Sequence, residues 1–283
     1  MITVPTIREM QDTVNRWKRE GHTIGLVPTM GFLHEGHLSL VRLARPRCDR
    51  LVVSIFVNPT QFAPNEDFED YPRDFDRDSR ACEAEDVDAV FAPSADEMYP
   101  PDASTWVEED SLSTTLCGRS RPTHFRGVTT VVTKLFNACL PDLAVFGRKD
   151  AQQALIIQRM VRDLNFPVRI LLGSIHRAPD GLAMSSRNSY LSPQQREAAL
   201  SISRGLNEAK RRFDQGCRSA PELRGIVADA IEAGGGELDY VELVSQSSLR
   251  PLQVVREHAL LAVAAKFGRT RLIDNVFLDL APC

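Results

Sequence analysis

Apolar residues recur with two different spacings in the first 175 residues. Short continuous apolar runs predict buried strands, and apolar residues three or four positions apart predict amphipathic helices between them. The predicted strands cover residues 23–28, 51–57, 89–92, 143–146 and 168–172, and the predicted helices cover residues 7–17, 37–48, 75–85, 127–140 and 151–164. Strands that alternate with helices favour an α/β fold with a doubly wound parallel sheet.

The pattern changes after residue 175. Ser192 followed by Pro193 is typical of a helix N-terminus, with serine as the N-cap and proline in the first helical position. Two helices are predicted over residues 194–213 and 221–233, and three strands over residues 238–244, 259–267 and 271–277. Because these helices precede a run of strands, we predict a separate, smaller α+β domain.

Composition excludes several classes of protein. The 283 residues are 43% hydrophobic and 25% charged, which are ordinary globular proportions and exclude disorder. A net charge of -4 argues against general binding to nucleic acids or membrane surfaces. No apolar stretch is long enough for a transmembrane helix, and the N-terminus lacks the apolar core of a signal peptide. The six cysteines show no zinc spacing, so we expect a cytoplasmic protein with reduced thiols.

The first candidate motif follows the predicted strand 23–28 and opens the next helix. It reads PTMGFLHEGH and places His34 and His37 three residues apart. In open α/β sheets, ligands bind at the carboxyl ends of strands, against helix N-termini that attract phosphate. Two imidazoles there would donate to phosphate oxygens, although an isolated pair of this spacing more often represents surface or capping histidines. Zinc binding by HExxH is excluded, since that motif needs its histidines four residues apart.

Two further motifs stand at the ends of predicted strands. In SIFVNPTQF, Asn58 and Gln61 are neutral hydrogen-bonding groups that suit a small substrate, or alternatively ordinary residues of a strand-end turn. In FGRKDAQQ, Lys149 would neutralise phosphate, Asp150 would cap the helix or orient a partner, and Gln153 follows one turn later on the same face. The alternative for this motif is a helix cap with a solvated lysine.

The fourth motif, DGLAMSSRN, opens the second predicted domain. Ser185, Ser186 and Arg187 place two hydroxyls beside a guanidinium, a combination that can hold a triphosphate. An ordinary serine-rich loop is the alternative. Each motif is weak by itself, but three follow predicted parallel strands, and we expect all four to line one cleft.

Together the motifs carry a resemblance. PTMGFLHEGH, SIFVNPTQF, RPTHFRGV, FGRKDAQQ and GLAMSSRN, in this order, resemble the pantothenate synthetase (pantoate–β-alanine ligase) family over essentially the whole chain. The His-x-Gly-His element alone would indicate only the wider nucleotidylyl-transferase superfamily. The resemblance implies a Rossmann-like ATP- and pantoate-binding domain over residues 1–175, a C-terminal lid domain over residues 176–283, and a homodimer. It also implies condensation of pantoate with β-alanine through a pantoyl adenylate, with ATP and Mg²⁺, releasing AMP and pyrophosphate.

The resemblance further implies roles for individual residues. His34 and His37 would bind the ATP phosphates, with His37 as proton donor and Lys149 as a third catalytic residue. The other implied ATP contacts are Met30, Gly147, Asp150, Ser185, Ser186 and Arg187, and the implied pantoate contacts are Gln61, Gln153 and Asn58. Mg²⁺ would be carried mainly by the ATP phosphates. Arg121 and His124 match the RPTHF segment without an assigned role.

One residue departs from the family pattern. Arg148 stands where the family commonly has glutamate or another non-basic residue, and we expect its side chain to be solvated.

Other functions stay open. A different adenylate- or cytidylate-forming enzyme of the superfamily would act on another acid. A non-catalytic nucleotide-binding protein would share the fold. Loss of a histidine of the first motif or of Lys149 would favour that alternative, and the sequence keeps all of them. P-loop NTPases and dinucleotide-dependent dehydrogenases are excluded, because GxxxxGK[ST] and GxGxxG are absent. The lack of a basic surface weighs against a tRNA synthetase.

Overall fold

The structure is a computed structural model that describes residues 1–64 and 66–280. The chain forms two compact units, each built from several segments. The first unit comprises residues 1–109, 121–148 and 156–174, and the second comprises residues 110–120, 149–155 and the chain from residue 175 onward. The functional division into a substrate-binding domain up to residue 175 and a lid domain beyond it stays a prediction.

A parallel sheet lies in the first unit, as the sequence predicts, and it contains six strands, one more than the five predicted. Its strands are β1 (Ile2–Val4), β2 (Ile24–Thr29), β3 (Arg50–Ile55), β4 (Ala89–Phe91), β5 (Leu143–Gly147) and β6 (Arg169–Gly173). They follow the order β1-β4-β3-β2-β5-β6, so β2 lies between β3 and β5. The strand order therefore reverses between β2 and β5, and the carboxyl ends of these strands form the switch point at which doubly wound sheets bind ligands.

The helices up to residue 163 confirm the predicted alternation. They are α1 (Ile7–Arg19), α2 (Glu35–Ala44), α3 (Phe75–Ala84), α4 (Ala95–Met98), α5 (Cys117–Ser120), α6 (His124–Cys139) and α7 (Ala151–Asp163). The prediction that the helix of residues 37–48 continues to Cys48 is wrong, because α2 ends at Ala44 and a 3-10 turn follows. Pro46 lies in that turn and has no N–H with which to continue an α-helix.

Helix α6 forms despite its valines and threonines because it is buried. Val128, Val131 and Leu135 are at most 6% exposed, so packing outweighs the modest helix propensity of β-branched residues. The Thr129 hydroxyl donates to the Phe125 carbonyl at 2.8 Å, which satisfies it inside the core.

The second unit contains the predicted α+β arrangement. Its later elements are α8 (Pro193–Asp214), α9 (Ala220–Ala233), β7 (Glu237–Ser245), β8 (Ala259–Phe267) and β9 (Thr270–Leu278), with the strands in an antiparallel sheet of order β7-β8-β9. Ser192 caps α8, since its hydroxyl accepts from the Gln195 N–H at 3.2 Å and the Gln195 side chain accepts from the Ser192 N–H at 2.9 Å. Leu206 of α8, Leu223 of α9 and Leu261 of β8 pack in one apolar core.

Two sequence-level expectations concern the chain as a whole. In the part of the chain that the structure describes, no helix has the length and apolar character needed to cross a membrane. The described cysteines are free thiols, and Cys283 lies outside the described residues. Burial raises the pKa of Cys82 to about 12 and that of Cys139 well above its ordinary value, so neither is a thiolate at neutral pH.

Candidate active site

A tight turn joins β2 to α2. Gly31 and Phe32 both have left-handed backbone, with φ of 82° and 49°. Glycine adopts this conformation without steric cost, whereas phenylalanine rarely does. The turn leads into His34, the N-cap residue of α2. The N-terminus of α2 therefore follows the carboxyl end of β2, as predicted for an anion-binding position.

The structure brings the two predicted histidines into contact. The ring centroids of His34 and His37 are 4.0 Å apart, with the planes inclined by 27°. The backbone N–H of His34 donates to Nδ1 of His37 at 3.3 Å. Because Nδ1 accepts this bond, the neutral His37 ring carries its proton on Nε2. His37 thus presents an N–H donor, the group that a phosphate oxygen requires.

A carboxylate that the sequence did not single out holds this turn. Asp78 of α3 is 1% exposed, and its oxygens accept from the N–H groups of Phe32 at 2.6 Å and Leu33 at 2.7 Å. Burial raises the pKa of Asp78, although the two N–H donors act in the opposite direction. The neighbouring Arg77 donates to the Leu33 carbonyl at 2.8 Å. Helix α3 therefore anchors the chain just before His34.

Asn58 and Gln61 meet after the end of β3. Asn58 is 1% exposed, and its amide NH₂ donates to Gln61 Oε1 at 3.1 Å and to the Gly127 carbonyl at 3.2 Å. Its Oδ1 accepts from the N–H and the hydroxyl of Thr60. These four bonds use the hydrogen-bonding capacity of the Asn58 amide inside the protein. Asn58 therefore orients Gln61, and its direct contact with a substrate stays a prediction.

The RPTHF segment fixes the main chain of Gln61. The Gln61 carbonyl accepts from Arg121 Nη2 at 3.1 Å and from His124 Nδ1 at 2.9 Å, so His124 carries its proton on Nδ1. An ion pair of 2.5 Å between Arg121 and Glu66 holds the guanidinium in place. Burial raises the pKa of Glu66, but the hydrogen bond and charge of Arg121 outweigh it, so the net pKa is lowered. Arg121 and His124 thereby gain a structural role that the sequence left open.

Met30 and Gly147 stand at the ends of neighbouring strands. Met30 directly follows β2, and Gly147 is the last residue of β5. The Gln61 Nε2 atom lies 3.2 Å from the Met30 sulfur. Both residues therefore lie at the switch point of the sheet, and their contact with a nucleotide stays a prediction.

Helix α6 passes close to the Gln61 turn at a glycine. A Cβ atom added to Gly127 would lie 2.4 Å from the Thr60 carbonyl oxygen and 2.7 Å from the Gln61 nitrogen. We expect Gly127→Ala to lower the free energy of unfolding by about 1–3 kcal/mol, because main chain rather than a flexible side chain must move. Urea denaturation measures this change.

Gly225 provides a matched control in another helix. A Cβ atom added to Gly225 in α9 meets no atom within 4 Å. Gly225→Ala should therefore raise the free energy of unfolding by up to about 1 kcal/mol through helix propensity. Changes of the same sign in the two variants would contradict the close approach at Gly127.

The FGRKDAQQ motif forms a 3-10 turn, Arg148–Asp150, that leads into α7. Lys149 Nζ lies 3.8 Å from Asp150 Oδ1, and the Lys149 side chain is 20% exposed. Gln153 is half-buried in the first turn of α7, and Arg148 is exposed, in agreement with the expected solvated side chain. The lysine is thus partly desolvated, which strengthens its attraction for an anion.

The two adjacent glutamines of this motif differ in environment. Gln152 is 6% exposed, accepts from the Cys117 N–H at 3.0 Å, and donates to the carbonyls of Leu112 at 2.8 Å and Thr115 at 2.7 Å. Gln152 therefore holds the segment of residues 112–117. Gln153 makes none of these contacts and is the glutamine that stays a candidate for substrate binding.

The GLAMSSRN motif forms a second 3-10 turn, Ser186–Tyr190. The Ser185 hydroxyl caps it by accepting from the Arg187 N–H at 3.3 Å, so the hydroxyl proton itself remains a donor. Ser186 is 7% exposed. Within the second unit, Lys149, Ser185 and Asp274 line the same small pocket. The structure thus brings the third and fourth motifs together.

Metal ligands are a separate question. Among residues 1–64 and 66–280, no group of three or more histidine, cysteine, aspartate or glutamate residues is placed to hold a metal ion.

Comparison with known proteins places these motifs in a family. A family model described as pantoate-beta-alanine ligase matches residues 2–277. A pantothenate synthetase from Pelotomaculum thermopropionicum is 54% identical over 279 residues, covering 98% of this chain and 99% of that protein. The crystal structure of pantothenate synthetase from Thermus thermophilus matches with a TM-score of 0.94 and 42% identity over 99% of this chain and 100% of that one.

A second solved structure carries ligands. The pantoate-beta-alanine ligase from Francisella tularensis, complexed with beta-gamma ATP and β-alanine, matches with a TM-score of 0.82 and 34% identity over 100% of both chains. The similarity therefore extends over the elements that carry all four motifs.

Proposed function

The chain belongs to the pantoate–β-alanine ligase family, and we infer that it condenses pantoate with β-alanine, using ATP, to form pantothenate, a precursor of coenzyme A. The family match over residues 2–277 carries this conclusion. The stacked His34 and His37 at the N-terminus of α2 support it, because they present donors at the switch point of the sheet.

The reaction is proposed to take two steps. A carboxylate oxygen of pantoate attacks the α-phosphorus of ATP, and the bond from that phosphorus to the oxygen that bridges it to the β-phosphorus breaks. Pyrophosphate departs, and a pantoyl adenylate is formed. The β-alanine amine then attacks the acyl carbon, the bond to AMP breaks, and the ammonium group loses a proton. The first step brings two anions together, so positioning and positive charge contribute more than covalent catalysis by the protein.

His34 and His37 are proposed to act on the phosphates during adenylation. The Nε2–H of His37 would donate to an oxygen that gains negative charge as pyrophosphate leaves, with His37 as proton donor. The Asp78 bonds to Phe32 and Leu33 support this role, since they fix the chain that precedes His34.

The second group of residues is proposed to hold the triphosphate. Lys149 supplies a point charge, Arg187 a planar guanidinium, and Ser185 and Ser186 hydroxyl donors. Asp150, 3.8 Å from Lys149, would orient the lysine. Met30 and Gly147 would contact the nucleotide.

Pantoate is proposed to bind through neutral groups. Gln61 and Gln153 can hydrogen-bond its hydroxyl and carboxylate oxygens without neutralising the carboxylate that attacks. Asn58 contributes by fixing the Gln61 side chain at 3.1 Å.

Mg²⁺ is proposed to enter with the nucleotide, as MgATP. This ion keeps several waters and usually binds substrate phosphates with few protein carboxylates, which fits a site whose proposed donors are imidazole, ammonium, guanidinium and hydroxyl groups. Its charge would offset that of the phosphates.

A homodimer and a cytoplasmic location are also proposed. The family resemblance supports the homodimer. The location is supported by the same resemblance and by the free thiols of the described cysteines, since a reducing compartment keeps thiols free.

Isotope exchange tests the two-step mechanism. With pantoate, ATP and Mg²⁺ but no β-alanine, labelled pyrophosphate should enter ATP, because adenylate formation is reversible on the enzyme. Omitting pantoate provides the control and should abolish the exchange. If protein that makes pantothenate showed no exchange, the reaction would be concerted.

A further inference from the structure

One strand of the second unit contacts both predicted phosphate-binding segments. Asp274 and Asn275 are consecutive residues of β9, and both are buried, at 4% and 3% exposed. The Asn275 N–H donates to Asp274 Oδ1 at 2.8 Å, which joins the two residues into one network. Neither residue belongs to a motif that the sequence singled out.

Asn275 holds the main chain of Lys149. Its Nδ2 donates to the Lys149 carbonyl at 2.8 Å, across 126 positions of sequence. The bond fixes the backbone atoms from which the lysine side chain extends. A carboxylate in place of this amide could not donate to the Lys149 carbonyl, because it only accepts hydrogen bonds. Its negative charge would also repel the carbonyl oxygen.

Asp274 holds the loop that precedes Ser185. Its carboxylate forms a two-point ion pair with Arg177, at 2.6 and 3.1 Å. Arg177 also donates to the Gly181 carbonyl and forms an antiparallel bridge with Ala183. Paired charges of this geometry are strong and directional when buried. Asp274 of β9 therefore fixes the loop that leads into the Ser186–Tyr190 turn, which carries Ser186 and Arg187 and is capped by Ser185.

We propose that Asn275 and Asp274 are positioning residues for the ATP triphosphate: Asn275 acts through Lys149, and Asp274 acts through Arg177 on Ser185 and Arg187. The inference rests on the proposed function, in which those residues grip the triphosphate. It assigns to β9 a part in nucleotide binding without any contact between β9 and the nucleotide.

The variant Asn275→Asp tests this directly, since it keeps the size of the side chain but removes the donor. The KM for ATP should rise about 10- to 100-fold, because misplacing a positioned group by about 1 Å can cost up to about 10²-fold, while the KM for pantoate changes less than about twofold. Thr270→Val is the matched control. Thr270 is a 3% exposed residue of the same strand whose hydroxyl has no hydrogen-bond partner in the part of the chain described, so both KM values should stay unchanged.

A double-mutant cycle separates positioning from general loss of structure. In a Lys149→Ala background, Asn275→Asp should cause little further rise in the KM for ATP, because its effect passes through the lysine. Additive effects, or equal rises in the KM for ATP and pantoate, would overturn the proposal.

Arg177→Gln tests the second arm and covers the case in which Asn275→Asp does not fold. It should raise the KM for ATP and leave the KM for pantoate unchanged, and an unchanged KM for ATP would overturn the proposal for Asp274. Failure of the proposed function is a distinct result, because the unmodified protein would then make no pantothenate.

Discussion

Replacing His37 with alanine is expected to slow adenylate formation by about 100-fold or more. The Nε2–H of this ring is the donor that the His34–His37 arrangement presents, and removing one such transition-state donor costs about 10²–10³-fold in rate. Folding should change little, because the side chain is only half-buried at a helix N-terminus. Single-turnover formation of AMP and adenylate, measured in a rapid-quench experiment, gives the rate.

A second substitution at the same position separates catalysis from capping. His37→Asn keeps an acceptor near Nδ1 for the His34 N–H but has no group in place of Nε2–H. If the ring acts through Nε2, this variant should be as slow as His37→Ala. Recovery of near-normal adenylation by His37→Asn would show that His37 is a structural cap. His258→Ala, at an exposed histidine paired with Asp279, is the control for loss of an imidazole.

Lys149→Ala and Gln153→Ala should have large and separable effects. Loss of the lysine should lower kcat/KM for ATP by about 10- to 150-fold, since hydrogen bonds to charged groups contribute about 1.5–3 kcal/mol. Loss of the Gln153 amide should instead raise the pantoate requirement by roughly 5- to 150-fold, because a substrate oxygen loses its partner. Titrating ATP and pantoate independently under single-turnover conditions distinguishes the two.

Neighbouring side chains provide the controls for this pair. Arg148→Glu reverses a charge at an exposed position beside Lys149 and should change ATP affinity only slightly. A large loss there would mean that the extra arginine shares in phosphate binding. Impaired ATP use with normal pantoate use in Gln153→Ala would contradict the assignment of Gln153.

Local sequence signals predicted the features that depend on neighbouring residues. Apolar runs bounded by turn residues identified β2 and β3, and the PTMGFLHEGH motif indicated that a helix begins soon after β2. The resemblance then selected His34, His37 and Gln61 among many polar residues. The structure adds that Asn58 directs its hydrogen bonds to the protein, a distinction that residue type alone does not make.

Contacts between distant parts of the sequence were not predictable in this way. Asp78 holds the histidine turn from another helix, and Asn275 holds Lys149 from 126 positions away. A buried aspartate or asparagine has no periodic signature, so its partner is known only once the chain is folded. Strand β1 was missed for a different reason: the equally short β4 is a continuous buried apolar run, whereas β1 contains Thr3 and buries only Val4.

Product analysis tests the assigned function most directly. With ATP, Mg²⁺, pantoate and β-alanine, the protein should form AMP, pyrophosphate and pantothenate in equal amounts. Without β-alanine, pyrophosphate release should stop after a single turnover, because the adenylate stays bound. Formation of ADP and phosphate, or nucleotide turnover that does not depend on pantoate, would contradict the function inferred from the family and the site.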